Sequence, residues 1–176
     1  MTTTNASVTP EAPSTTTGPV LPDPIAGRPD IPKSYGTNQS PDGLLPWSWA
    51  SERLERAKNF WVVTVRPDGR PHAVPVWGAF VEQRFYFDGG GRKATNLKTN
   101  PHVAVHLESG DEVVSLEGIY VKSTVPDPAL FERIRASYRA RYDYQPETPE
   151  QLYVIKPAFV LGWKEFTNPT RCRFGA

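Results

Sequence analysis

Three glycines followed by two cations, at Gly89–Lys93, form the stretch of this chain that is best suited to bind an anion. Glycine lets the backbone approach a bound group closely, and successive amides of such a turn can hold negative charge. Ala94–Thr99 is predicted as a short helix, so both cations lie where the helix dipole already attracts anions. Arg92 can donate two parallel hydrogen bonds to a phosphate, and Lys93 adds a compact charge. A flexible turn before a solvated basic helix would have the same composition.

Other residues with catalytic or ligating side chains do not form a recognisable constellation. His102 and His106 are four apart on a predicted strand, which separates them by about 13 Å, so no shared metal is expected. Cys172 is the single cysteine, which excludes an internal disulfide, and no partner identifies it as a nucleophile. No Ser-His-Asp motif is recognisable, so the catalytic residues are unknown at this point.

Six β-rich segments carry these residues. Short turn signals separate most of them, which predicts antiparallel pairing, and Pro75 places its strand at an edge or a bulge. Six such strands with one inserted helix predict a small closed or half-closed barrel. The segments are Phe60–Arg66, Pro71–Phe80, Arg84–Asp88, Val103–Leu107, Glu112–Lys122 and Leu152–Phe166.

Two further helices are predicted at either side of the strands. Ser48 is positioned to cap a helix that runs to about Lys58, with Glu52 and Arg56 one turn apart. Asp127 followed by proline begins the second helix. One face of that helix is apolar and the other is a solvated basic face; the two sets are Phe131, Ile134, Tyr138 and Tyr142, and Arg133, Arg135, Arg139 and Arg141.

The N-terminal stretch and the overall charge limit the possible functions. The first 46 residues hold nine of the 19 prolines and few large apolar residues, so we predict a disordered tail over 1–43, whose last part could lie along the surface of one folded domain over 44–176. A net charge of +1 argues against duplex DNA and against a polybasic membrane surface. No apolar run is long enough to span a bilayer, and the N-terminus lacks a signal peptide pattern. We expect a cytoplasmic protein without nucleic-acid or membrane partners.

Four segments together resemble the pyridoxamine 5'-phosphate oxidase-like split-barrel superfamily, and more narrowly its actinobacterial flavin/deazaflavin oxidoreductases. The segments are LLPWSWASERL (44–54), VTVRPDGRPHAVPVWG (63–78), FYFDGGGRKATNLKTNPHVAV (85–105) and TRCRF (170–174). The resemblance implies a mainly β fold: a six-stranded antiparallel split β-barrel, of the FMN-binding type, with short flanking helices. It also implies a homodimer with one flavin-type cofactor in each of two clefts between the subunits.

The same resemblance assigns cofactor-binding residues. It places the cofactor phosphate at Arg92 and Lys93, with Asn96 one turn further along the helix. Phe87 and Asp88 fall at the phosphate–ribityl end, and Trp163 falls on an aromatic residue that the other subunit contributes. The strand against the ring carries Val74, Pro75, Val76 and Trp77.

Two departures from the oxidase itself bear on the cofactor and substrate. The oxidase has an Arg and a Lys at the positions of Val74 and Ala79, and neither residue here can hold an anion. The oxidase's C-terminal Arg-His signature is also absent, so oxidation of pyridoxamine phosphate is not expected. Fewer cations are therefore available to bind the cofactor phosphate. This difference and the TRCRF ending favour coenzyme F-420, with FMN possible. Arg171 and Arg173 are either surface charges or contacts to the cofactor's anionic tail.

Three functions are compatible with these residues. The first is hydride transfer between F-420 or FMN and a small conjugated or quinone-like substrate, in which the cofactor supplies most of the chemistry. The second is a non-catalytic protein that holds a flavin, a haem or another planar ligand in the same cleft. The third is a barrel that stacks single-stranded nucleic acid on its aromatic residues, against which the near-neutral charge counts.

Overall fold

A computed structural model describes residues 22–121 and 127–175. These residues form nine β-strands and three α-helices, with 3-10 turns at Lys33–Tyr35 and Pro149–Gln151. The helices are α1 (Trp47–Arg56), α2 (Arg92–Thr99) and α3 (Pro128–Arg139). The strands are β1 (Ile25–Gly27), β2 (Phe60–Val65), β3 (Pro71–Val76), β4 (Gly78–Val81), β5 (Arg84–Asp88), β6 (His102–His106), β7 (Val113–Val121), β8 (Leu152–Trp163) and β9 (Thr170–Arg173).

One antiparallel sheet contains all of these strands and does not close on itself. Its order is β1-β9-β8-β7-β6-β2-β3, and the β4–β5 hairpin joins it through the pairing of β5 with β8. The prediction of a mainly β, antiparallel split barrel with short helices is therefore confirmed. The structure has nine strands where six were predicted, because β1 and β9 are additional and one predicted strand is divided into β3 and β4.

The predicted strand Pro71–Phe80 is two strands with a break at Trp77. Val76 still pairs with Phe60 of β2, whereas Gly78 already pairs with Phe87 of β5. A side chain at Gly78 would lie 2.5 Å from the Phe85 ring, so the chain can turn this closely only with glycine there. The break brings β4 and β5 across to β8 and leaves Trp77 at the corner.

The hydrophobic core has two parts, one on each side of β5 and β8. Inside the barrel, alternate residues of the strands pack with α1, as at Phe60, Val62 and Leu116. On the other side, α3 packs its apolar face against the sheet, with Ile134 and Tyr138 fully buried. The predicted start of α3 is confirmed, because the Asp127 carboxylate accepts from the N–H groups of Ala129 and Leu130 at 3.0 Å.

The start of α1 was predicted incorrectly. The helix begins at Trp47 directly after Pro46, and no described side chain caps it. The Pro46 carbonyl accepts from the Trp49 N–H at 3.0 Å, so the backbone satisfies one amide of the helix entry without Ser48. The predicted ion pair between Glu52 and Arg56 is present at 3.8 Å.

The segment 22–43, the last part of the predicted tail, lies along the sheet. β1 pairs with β9, with Ala26 opposite Cys172. The Arg28 guanidinium donates to the carbonyls of Ser40, Pro169 and Asp42 at 2.6, 2.7 and 2.5 Å. One cation thus fastens a proline-rich segment that has little apolar surface of its own. Residues 1–21 of the predicted tail lie outside the described residues.

Candidate functional site

The glycine turn predicted to bind an anion opens α2. Gly89 and Gly91 have φ angles of 127° and 75°, which side-chain-bearing residues rarely adopt. Gly91 precedes the helix, and no side chain of ranges 22–121 and 127–175 caps its N-terminal amides. Arg92 and Lys93 are the first two helical residues, as the sequence predicted. The turn therefore presents free backbone donors beside two cations.

The two cations are placed differently. Arg92 is exposed and forms no ion pair with any described residue. The Lys93 ammonium curls back over the turn, donates to the Gly90 carbonyl at 3.1 Å and lies 5.9 Å from the centre of the Phe87 ring. Both charges therefore remain available to a ligand at the turn.

Asn96 fastens α2 to the barrel. Its side chain is fully buried, and its Nδ2 donates to the Thr64 hydroxyl at 2.9 Å. Its Oδ1 has no hydrogen-bond partner among the described residues. The amide therefore lies inside the barrel, one turn below the two cations, and holds the helix N-terminus against β2.

The strand that the resemblance places against the cofactor ring is only partly accessible. Val76 belongs to the core, Val74 is half-buried against it, and Pro75 is exposed on the opposite face of β3. Trp77 is 48% exposed at the corner between β3 and β4. Trp77 is therefore the largest apolar surface that this strand offers to a ligand.

A cluster of three tyrosines, Tyr138, Tyr142 and Tyr144, supports Trp77, and we did not predict its role. The Trp77 ring stacks on Tyr142 with 4.9 Å between ring centres and 15° between planes. The Tyr142 hydroxyl accepts from the Gly78 N–H at 3.1 Å and donates to the Lys58 carbonyl at 2.7 Å. The inward face of α3 indicated that Tyr138 and Tyr142 would be buried, but no sequence signal indicated this contact.

The tyrosine cluster also reaches the end of β5. The buried Tyr138 hydroxyl donates to the Trp77 carbonyl and accepts from the Asp88 N–H, both at 3.2 Å. The Tyr144 hydroxyl donates to the Asp88 carboxylate, and this hydrogen bond raises the pKa of Tyr144 to about 12. The two ends of the predicted cofactor site, Trp77 and Asp88, are thus joined through residues of α3 and its following loop. Phe87, beside Asp88, is fully buried and stacks on Tyr153.

Arg141 secures the same corner from the other side, which corrects its prediction as part of a solvated face. Its guanidinium donates to the carbonyls of Gly78, Glu55 and Ala57 at 2.9, 2.7 and 2.8 Å. Two further bonds go to the carbonyl and hydroxyl of Ser137. Burial lowers the pKa of Arg141. The residue lies just beyond α3, where the chain turns inward, so helical spacing did not reveal its position.

Trp163 lies far from these residues within one chain. It ends β8 opposite Val113, whereas Asp88 pairs with Leu152 at the start of the same strand. Eleven residues of extended chain separate the two ends, which is about 36 Å. Within one chain, Trp163 and the site residues therefore lie at opposite ends of β8.

Residues 22–121 and 127–175 contain no helix that is both long and apolar enough to cross a membrane. Within the same ranges, no three His, Cys, Asp or Glu side chains are grouped so that they could hold a metal ion.

Solved structures share this fold. A conserved hypothetical protein from Mycobacterium tuberculosis is 23% identical, with 72% of this chain and 89% of that chain covered and a TM-score of 0.55. A FAD-binding protein from Mesorhizobium loti is 20% identical, with coverage of 72% and 94% and a TM-score of 0.52. An F420 reductase is 25% identical, with coverage of 69% and 98% and a TM-score of 0.49.

Sequence comparison identifies the family. A search of curated proteins found no match. The family model described as pyridoxamine 5'-phosphate oxidase matches residues 50–164, which is more than half of the chain and includes α2, Trp77 and the tyrosine cluster. The chain therefore belongs to the pyridoxamine 5'-phosphate oxidase family.

Proposed function

We propose that this protein is an oxidoreductase that uses a deazaflavin, coenzyme F-420, or else FMN. The cofactor would exchange hydride with a small organic substrate of conjugated or quinone-like character. One observation carries the proposal: the glycine turn and the two cations of α2 directly follow Asp88, and Tyr138 joins Asp88 to Trp77, whose indole is exposed. This arrangement suits a molecule with an anionic tail and a flat ring. The family membership is consistent with such a cofactor.

The residues of this chain would bind and orient rather than transfer protons. Arg92, Lys93 and the amides of α2 would hold the phosphate. Trp77, supported by Tyr142 beneath it, would contact the ring, and the Asp88–Tyr144 pair would lie between ring and phosphate. The cofactor supplies the hydride when bound, so the site needs positioning and exclusion of water more than an acid–base pair.

Two uncharged residues, at positions where the oxidase itself has cations, support F-420 over FMN and argue against oxidation of pyridoxamine phosphate. Val74 and Ala79 stand where the oxidase itself uses cations, and the structure has Ala79 fully buried. Only the α2 pair would then hold the phosphate. With fewer residues bound to the phosphate, more of the binding free energy must come from contacts with the rest of the cofactor. This is expected for F-420, which has a longer anionic tail.

We also propose a homodimer, in which Trp163 of each subunit reaches the other subunit's cofactor. The outer faces of β2, β6, β7 and β8 form an apolar groove of about 400 Å³, with Ile119 39% exposed. An apolar groove on an outer sheet face could accept apolar side chains of a second copy of the chain. The near-neutral charge supports a cytoplasmic protein with no nucleic-acid or membrane partner.

Titration of the purified protein with F-420 and with FMN, followed by fluorescence, tests the cofactor assignment. The variant Arg92→Ala/Lys93→Ala should weaken binding by at least about 2 kcal/mol, since charged hydrogen bonds contribute roughly 1.5–3 kcal/mol each. Lys98→Ala is the matched control, because this exposed cation lies at the opposite end of α2. Unchanged affinity in the double variant would refute the phosphate assignment.

A turnover assay separates the enzyme from the non-catalytic alternative. Protein loaded with reduced cofactor is mixed with quinone and enone acceptors, and reoxidation of the cofactor is followed by absorbance. Reoxidation that is faster than with free cofactor supports the enzyme. Tight binding without faster reoxidation by any acceptor would favour a protein that only holds a planar ligand.

A further inference from the structure

A second pair of cations lies on β5 and β8, away from α2. Phe85 pairs with Ile155 and Tyr86 with Val154, so Arg84 and Lys156 are opposite each other one step further along. Directly opposed side chains of antiparallel strands lie about 4.5–5.5 Å apart at Cβ, and like charges there destabilise the sheet. This pairing is unfavourable unless negative charge lies between the two side chains.

A cavity of about 180 Å³ lies where these two side chains meet. Its walls combine the two cations with Gln83, Gly175 and three apolar groups, namely Pro22, Pro157 and the Phe174 ring. A water molecule occupies about 30 Å³ in the liquid, so this space has room for a phosphate-sized group with a short substituent.

The described residues provide no carboxylate for either cation. Neither Arg84 nor Lys156 forms an ion pair with a described residue. The nearby carboxylate of Glu82 is bonded to Arg133. Arg84 does interact with the Tyr86 phenol, which is a neutral group whose pKa burial raises.

We propose that Arg84 and Lys156 bind a small oxyanion in this cavity, either a phosphate or a carboxylate group. The guanidinium would hold two oxygens side by side, and the ammonium would add a point charge from the opposite strand. Pro157 and Phe174 would contact a short apolar substituent. Arg84 and Asp88 are separated by four residues of β5, about 13 Å, so this site is distinct from the one at α2.

Calorimetric titration with inorganic phosphate tests the proposal in the full-length Arg92→Ala/Lys93→Ala protein, from which the cations at α2 are absent. Sodium chloride keeps the ionic strength constant, so general screening is the same throughout. Saturable binding is expected, and adding either Arg84→Gln or Lys156→Met should weaken it at least tenfold. Arg56→Gln, which removes an exposed cation on α1, should leave it unchanged.

Thermal unfolding tests whether each variant is folded. Because Arg84 and Lys156 are substituted separately, one variant still tests the proposal if the other does not fold. No saturable binding in the Arg92→Ala/Lys93→Ala protein would overturn the proposal, as would equal binding after both further substitutions. Titration with acetate in the same protein distinguishes carboxylate from phosphate. Because the α2 cations are absent throughout, failure here would leave the proposed cofactor site untouched, and failure of the cofactor titrations would leave this site untouched.

Discussion

Asn96 and Thr64 form a buried hydrogen bond, and we predict that substitutions of the two residues lower the free energy of unfolding by different amounts. Thr64→Val removes the acceptor of Asn96 Nδ2, and Asn96 Oδ1 already has no partner among the described residues. The variant would bury an amide with no hydrogen bond, which costs about 1–3 kcal/mol. We expect a value near the top of this range, because both polar atoms of the amide would be unsatisfied.

Asn96→Leu should cost less than Thr64→Val. It removes the unsatisfied oxygen together with the donor, and Thr64 retains a possible acceptor in the His72 carbonyl at 3.4 Å. Replacement of both partners by apolar groups of similar shape can be nearly neutral, so Asn96→Leu/Thr64→Val should lie within about 1 kcal/mol of the wild type.

Urea unfolding of the four proteins measures these differences and their coupling. With a slope of about 2 kcal/mol per molar urea, a loss of about 2 kcal/mol lowers the midpoint by about 1 M. The reasoning would be refuted if Asn96→Leu destabilised the protein more than Thr64→Val. That order would mean that the Asn96 amide oxygen has a hydrogen-bond partner or a packing contact beyond those described above.

Three other substitutions test the corner around Trp77. Tyr144 has its pKa raised to about 12, so its hydrogen bond contributes stability below about pH 10 that is lost as the pH rises toward 12. Tyr144→Phe should remove this alkaline dependence of the unfolding free energy, and an unchanged profile would contradict the assignment. Arg141→Lys should lower the unfolding free energy by about 2 kcal/mol or more, because an ammonium cannot reach all the acceptors of the guanidinium; thermal unfolding measures it, and wild-type stability would disprove the role. Gly78→Ala places a carbon 2.5 Å from the Phe85 ring and 2.9 Å from a carbonyl oxygen, which should cost about 1–3 kcal/mol in urea unfolding; a tolerated alanine would contradict the close approach.

Local chemistry in the sequence predicted the parts of the fold that depend on neighbouring residues. Asp127 before proline marked the start of α3, and alternating β-branched residues marked β2 and β7. The glycines before Arg92 marked the turn into α2. In each case the deciding contacts lie within a few residues, so the pattern alone was sufficient.

Contacts between distant residues escaped prediction. Tyr144 meets Asp88 across 56 residues, and nothing near either residue indicates the other. β1 is three residues long, too short to show a period, and is ordered through Arg28. The break at Trp77 depends on the Phe85 ring behind Gly78, which a strand pattern cannot reveal. The cofactor contacts assigned by resemblance stay predictions.

The five hydrogen bonds of Arg141 all end on uncharged oxygens. Protonation of carboxylates at low pH therefore removes none of them. Acid should dissociate the surface ion pairs of α3 while the joint between α1, β4 and α3 keeps its bonding. The Arg141 bonds at the corner that carries Trp77 should thus persist over a wider pH range than the ion pairs of the surrounding surface.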